Sequence, residues 1–153
     1  MFLTPHTSLA LLITTKVTNP LLAFVLGVIS HFVLDFIPHG DEDFARHQKT
    51  KRGKLFYLLR ISIVDLLLAS SLLYFFISRY PYFKESVLLG AVSGAWLPDM
   101  LWISLEQLKF NFSSWYLTFH QRIHIIIKFR YSFVYGVPFQ IVVTLAMIKT
   151  VFN

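Results

Sequence analysis

No cysteine occurs among the 153 residues, which excludes disulfide staples and thiolate metal sites alike. Charge is also scarce. Asp, Glu, Lys and Arg make up 14% of the chain, where a soluble domain carries about 25%. Acids are the scarcer sign, 8 against 14 Lys and Arg. No basic run precedes the first apolar stretch, and Pro5-His6 interrupts the approach to residues 9–13. The segment is therefore expected to stay in the mature protein rather than be removed as a signal. No Gly-x-Ser-x-Gly elbow is present, which removes a serine-hydrolase reading.

What fills the chain instead is apolar: 56% of residues are hydrophobic and the mean hydropathy is +0.61. A domain of this size leaves too much surface exposed to hide that area from water. The bilayer is the expected solvent, around a single integral membrane domain spanning residues 1–153. The formal charge of +6 would suggest nucleic acid in a soluble protein. In a membrane protein, Lys and Arg set orientation and meet anionic lipid. Membrane lipid is thus the expected partner, and nucleic acid is not.

The hydrophobic pattern predicts an all-α bundle with four spanning helices, a short N-terminal half-helix and an interfacial helix. The half-helix, residues 7–17, would be only ~16 Å long at 1.5 Å per residue, too short to cross a ~30 Å hydrocarbon core. Asn19-Pro20 turns the chain, with Pro20 suited to a helix start. The spanning candidates are 21–37, 55–77, 86–105 (with Pro98 inside as a kink) and 133–152. Residues 115–129, apolar but broken by His120, Arg122 and His124, read as interfacial. Trp96, Trp102 and Trp115 fall near segment ends, as an aromatic belt would. Gly90 and Gly94 around Ser93 indicate close helix packing rather than a nucleotide loop. Residues 26–30 (LGVIS) echo 89–93 (LGAVS), each ahead of an aspartate, although so short an echo does not establish a repeat.

Basic residues orient the bundle. Arg46, Lys49, Lys51, Arg52, Lys54, Lys109, Arg122, Lys128 and Arg130 fall on one side, against Lys16, Arg79, Lys84 and Lys149 on the other. The first side is expected to be cytoplasmic. On that topology His6, His31, His39, His47, His120 and His124 all map to or just below the same face, as do Asp35, Asp41 and Asp99. His31 and Asp35 are four apart and share a helix face; His120 and His124 repeat the spacing. Imidazole and carboxylate together suit Zn²⁺, Mn²⁺ or Fe²⁺. Asp65 and Asp99 lie within membrane segments, where an ionisable group costs at least ~2.5–3.5 kcal/mol and normally has a partner. For Asp65 a purely structural partner such as Arg60 or a serine is one alternative. The sequence His120-Gln121-Arg122-Ile123-His124 has zincin spacing, but Gln121 stands where the general-base Glu belongs, so that protease mechanism is excluded.

Four places resemble the predicted membrane-bound metal-dependent hydrolases, the YdjM-like inner-membrane proteins. They are Thr4-Pro5-His6 opening a small-residue helix, the run from Ser30-His31 through Asp35 to Pro38-His39-Gly40-Asp41, Leu97-Pro98-Asp99, and the His120/His124 pair before a last helix with Gly136 and Gln140. Leu101 stands where such proteins commonly carry a second acid, and Gln121 separates His120 from Arg122. The resemblance implies a membrane hydrolase of a prokaryotic inner membrane. Its metal site would be formed by His6, His31, Asp35, His39, Asp99, His120 and His124, with Zn or Mn as the ion. The resemblance names no substrate; from the membrane setting and the basic loop, a lipid or lipid-linked phosphoester is expected, with Asp35 or Asp99 catalytic. A non-catalytic scaffold or transporter-like protein, and haem ligation by two histidines, are the alternative readings.

Overall fold

Six helices and no strand make up the described part of the computed structural model, which covers residues 1–40, 45, 47–108, 114–126 and 132–153, the side chains of 107, 108, 124, 125 and 133 excepted. They are α1 (Leu3–Lys16), α2 (Pro20–Phe36), α3 (Lys51–Arg79), α4 (Glu85–Leu108), α5 (Ser114–Ile125) and α6 (Phe133–Phe152). Three stretches are long and apolar enough to cross a membrane: Lys51–Arg79, Glu85–Glu106 and Val134–Phe152. The fourth expected span does not reach that length. α2 has 17 residues, about 26 Å at 1.5 Å per residue, short of a ~30 Å core. Asn19 ends it at one side by accepting from Leu22 N, with Pro20 in the first turn, and Pro38 follows it at the other.

α1 is the centre of the bundle. Its 14 residues give a half-span of about 21 Å, and His6, Thr7, Ser8, Ala10 and Leu11 are all fully buried. Its hydroxyls are satisfied locally: Thr7 donates to the Leu3 carbonyl, Ser8 to Pro5 and Thr14 to Ala10. α2 and α4 pack on it through Ala10, Ala23, Val87, Ala91 and Ala95. α3, α4 and α6 meet it through Leu11, Leu72, Phe76, Leu88 and Val151. Large apolar side chains point outward instead, among them Leu66, Leu67, Leu68 and Phe75 on α3 and Ile141, Val142 and Leu145 on α6. In water such a surface would be an association site; in a bilayer it faces solvent.

The two echoing segments pack against each other. A Cβ on Gly27 would strike the Ala91 carbonyl oxygen, one on Gly90 that of Pro20, and one on Gly94 that of Phe24. Backbone meets backbone because the side chains have been removed at the crossing. Pro20 lies by Gly90, Phe24 by Gly94 and His31 by Ala95, so α2 and α4 run parallel. α1, α3 and α6 run the other way, as Thr4 meets Asp65, Ser8 meets Met147 and Leu11 lies with Phe76 and Val151. Two helices therefore end, and three begin, at one end of the bundle.

Candidate metal centre

That convergence places four side chains from three elements together. His31 and Asp35 come from the last turns of α2, Asp99 from α4 and His120 from α5. The orientation of His31 is set by α4. Its Nδ1 lies 2.8 Å from the Ala95 carbonyl oxygen, and a carbonyl can only accept, so Nδ1 carries a proton. In the neutral ring Nε2 then presents a lone pair. This Nε2 faces Asp35 Oδ2 at 2.9 Å and Asp99 Oδ1 at 3.6 Å, yet has no hydrogen-bond partner among the described residues. Both His31 and Asp35 side chains are 0% exposed. A lone pair held against carboxylates in so dry a place is stable only with a cation or a proton between them.

The distances favour a cation. His120 Nε2 stands 3.4 Å from Asp99 Oδ1, and the four ligand atoms lie within 4.8 Å of one another. A tetrahedron with ligand distances near 2.1 Å has edges of about 3.4 Å, close to the His31–Asp99 and His120–Asp99 separations. Two carboxylates balance a divalent charge, and two imidazoles complete a nitrogen and oxygen donor set suited to Zn²⁺ or Mn²⁺. The Ala95 carbonyl is the outer partner that fixes a ligating imidazole.

α5 is held in place by aromatic contacts. The Tyr116 hydroxyl donates to the Pro98 carbonyl at 2.8 Å, one residue before Asp99. Burial, then the nearby Asp99 and Asp35 charges, push the Tyr116 phenol up to about 12, so it stays a donor. Trp102 stacks on His120 with ring centroids 5.8 Å apart, and Phe32 lies edge-on to it. Trp102 was expected in an interfacial belt. It is instead half-buried against the site, and its Nε1 has no hydrogen-bond partner among the described residues. Trp96 also turns inward, donating to Thr7 Oγ1 at 3.0 Å. The belt pattern reads only the distance of an aromatic from a segment end, not the face it occupies.

The other residues implied by resemblance divide. His6, expected just ahead of the first helix, lies within α1. It stacks on His31 at 4.2 Å with Nε2 3.3 Å from Asp35 Oδ1, so it borders the four-donor group without belonging to it. His39 is buried outside the group. Its Nδ1 donates to the Ile37 carbonyl, and its Nε2 and Asp35 Oδ1 both meet the Met1 nitrogen. Gly40, at φ 76°, turns the chain after it. The turn docks on α6, where Gly136 leaves room for the His39 carbonyl and Gln140 Nε2 donates to it at 3.0 Å. His124 lies on α5, but its side chain is outside the described residues, as is Asp41.

Asp65 does a structural job. Its Oδ2 accepts from Leu3 N at 2.6 Å, and its Oδ1 from Thr4 N and Thr4 Oγ1 at 3.1 and 2.6 Å. The N-cap residue Phe2 makes no side-chain cap, so a carboxylate from α3 satisfies the first donors of α1 and meets the positive end of its dipole. Neither Arg60 nor a serine is the partner. Asp65→Ala is expected to lower stability by about 1–2 kcal/mol, read as a lower melting temperature in detergent with bound metal unchanged. Loss of metal would instead put Asp65 in the site. Against known proteins, the chain matches no family model, no curated protein and no solved structure.

Proposed function

We propose that the chain is a metal-dependent hydrolase embedded in the cytoplasmic membrane of a prokaryote, acting on a phosphoester of a lipid or lipid-linked group. The observation that carries this reading is the His31 Nε2 lone pair, fixed by Ala95 and facing two carboxylates, Asp35 sealed and Asp99 at the rim. His31, Asp35, Asp99 and His120 would hold the ion, with Zn or Mn suited to the donors. A divalent ion there lowers the pKa of water towards neutrality and offsets charge on the phosphoryl oxygens. Asp99 is the reachable acid, its side chain 24% exposed where that of Asp35 is sealed. Its second oxygen would take the proton of the attacking water. Water adds to phosphorus, the ester P–O bond breaks, and the alcohol leaves with the proton returned. Lys49, Lys51, Arg52 and Lys54 would draw anionic headgroups to the same face, and the resemblance to the YdjM-like proteins points the same way.

The test is phosphate or headgroup release from phosphoester lipids by protein purified without a metal-affinity tag. Turnover should stop with a chelator and return with Zn²⁺ or Mn²⁺. Protein that carries no metal and turns over no phosphoester under any metal would sink the reading, leaving a scaffold or transporter-like role.

A further inference from the structure

A second feature lies on the far side of α1. α3 and α6 each pack on α1 and splay apart, leaving a cleft of about 690 Å³, within the ~300–1,000 Å³ of ligand pockets. Its walls are apolar, with Leu68 and Leu72 from α3 and Val137, Ile141, Leu145 and Ile148 from α6. From Ile61 to Leu72, and from Val137 to Ile148, each wall runs 11 residues, about 17 Å of helix. That is close to the depth of one leaflet, half of a ~30 Å core.

Arg60 stands at the mouth of this cleft, beside Tyr57. Of the chain's 14 Lys and Arg residues, it alone belongs to neither end group that orients the bundle. It has no hydrogen-bond or ion-pair partner among the described residues. Asp65 lines the same cleft, but its oxygens are turned into the first turn of α1. α3 is 29 residues long, about 43 Å, and so outreaches the hydrocarbon core by more than 10 Å. The 19 residues from Arg60 to Arg79 cover about 28 Å, which matches the thickness of that core. With the core set between these two guanidiniums, rather than over 55–77, Arg60 stands at the level of lipid phosphates, above an apolar slot of acyl-chain depth.

We infer that the cleft binds one anionic phospholipid, its phosphate on Arg60 and an acyl chain between α3 and α6. A guanidinium recognises phosphate through paired donors, and the apolar walls exclude a hydrophilic anion from the slot below. This site stands independently of the metal centre, from which the N-terminal turn of α1 separates it: Thr4 and Pro5 face the cleft while His6 faces Asp35.

The experiment is native mass spectrometry of the purified chain in mild non-ionic detergent, titrated with phosphatidylglycerol or phosphatidylcholine of identical acyl chains. The wild type should retain one phosphatidylglycerol at least fivefold more than phosphatidylcholine. Arg60→Gln should bring the two lipids to parity, and Arg60→Lys should restore part of the preference. Ile141→Trp, which fills the slot, should reduce retention of both lipids at least fivefold. Helical content and bound metal should be unchanged in all three variants, separating this result from any failure of the metal reading. Equal retention of the two lipids by the wild type would overturn the inference. So would displacement of phosphatidylglycerol by millimolar inorganic phosphate, because the site would then read a free anion rather than a lipid.

Discussion

His31→Ala should empty the metal centre while leaving the helices in place. The ring touches both carboxylates of the cluster through a single nitrogen. The substitution removes a ligand and the ring that stands between Asp35 and Asp99. Outer partners of metal ligands are worth roughly 10–100-fold in affinity, so losing a ligand should exceed roughly 100-fold. Bound metal should fall from about one ion per chain to a trace, measured by elemental analysis. His120→Ala should do the same with less effect on melting, because α5 packs on α2 and α4 far less extensively than those two helices pack on each other. His39→Ala is the discriminating control. His39 lies outside the four-donor group, so its variant should keep the ion even though resemblance alone would make it a ligand. Retention of metal by His31→Ala, or its loss from His39→Ala, would overturn the assignment.

The parts of this arrangement that were legible in the sequence are those encoded by local spacing. The i, i+4 pair His31 and Asp35 had to share a face, and segment lengths had to carry the histidines and acids to one end of the bundle. Hydrophobic runs located every helix to within a few residues, because exposure to lipid makes the pattern continuous. What failed depended on partners from elsewhere in the chain. Nothing near Asp65 announces that it caps α1, since the donors are 61 and 62 residues away. Trp102 looks like a belt residue until α5 folds back to set His120 on it. The span count failed at α2 because a 17-residue apolar run lies on the margin between crossing and burial. The echo between residues 26–30 and 89–93 depends on a distant partner in the same way. Its meaning is not repetition along the chain but contact in space, where glycines on two parallel helices remove the bulk between them.

That contact leads to the second large effect. Gly94→Ala should destabilise the protein and weaken the metal site, although Gly→Ala within a helix ordinarily gains about 1 kcal/mol. The new Cβ would run into the Phe24 carbonyl oxygen and lie 3.0 Å from its carbon and 3.1 Å from its Cα. These are backbone atoms of a packed helix and cannot rotate aside, so α2 and α4 must separate. Overpacking of this kind costs about 1–3 kcal/mol, enough to reverse the usual sign. The separation also pulls on the site. His31 and Asp35 ride on α2, whereas Ala95 and Asp99 ride on α4, and metal–ligand distances tolerate only about ±0.2 Å. Metal affinity should fall at least tenfold with every ligand intact. Gly53→Ala in the first turn of α3 is the control: the atoms nearest its Cβ belong to the Thr50 and Gln48 side chains, Thr50 Oγ1 being the acceptor that caps Gly53 N. Whatever that disturbance does to melting, its bound metal should not change. A Gly94→Ala protein that melts higher than wild type and keeps its ion would show that the α2–α4 spacing does not set the centre.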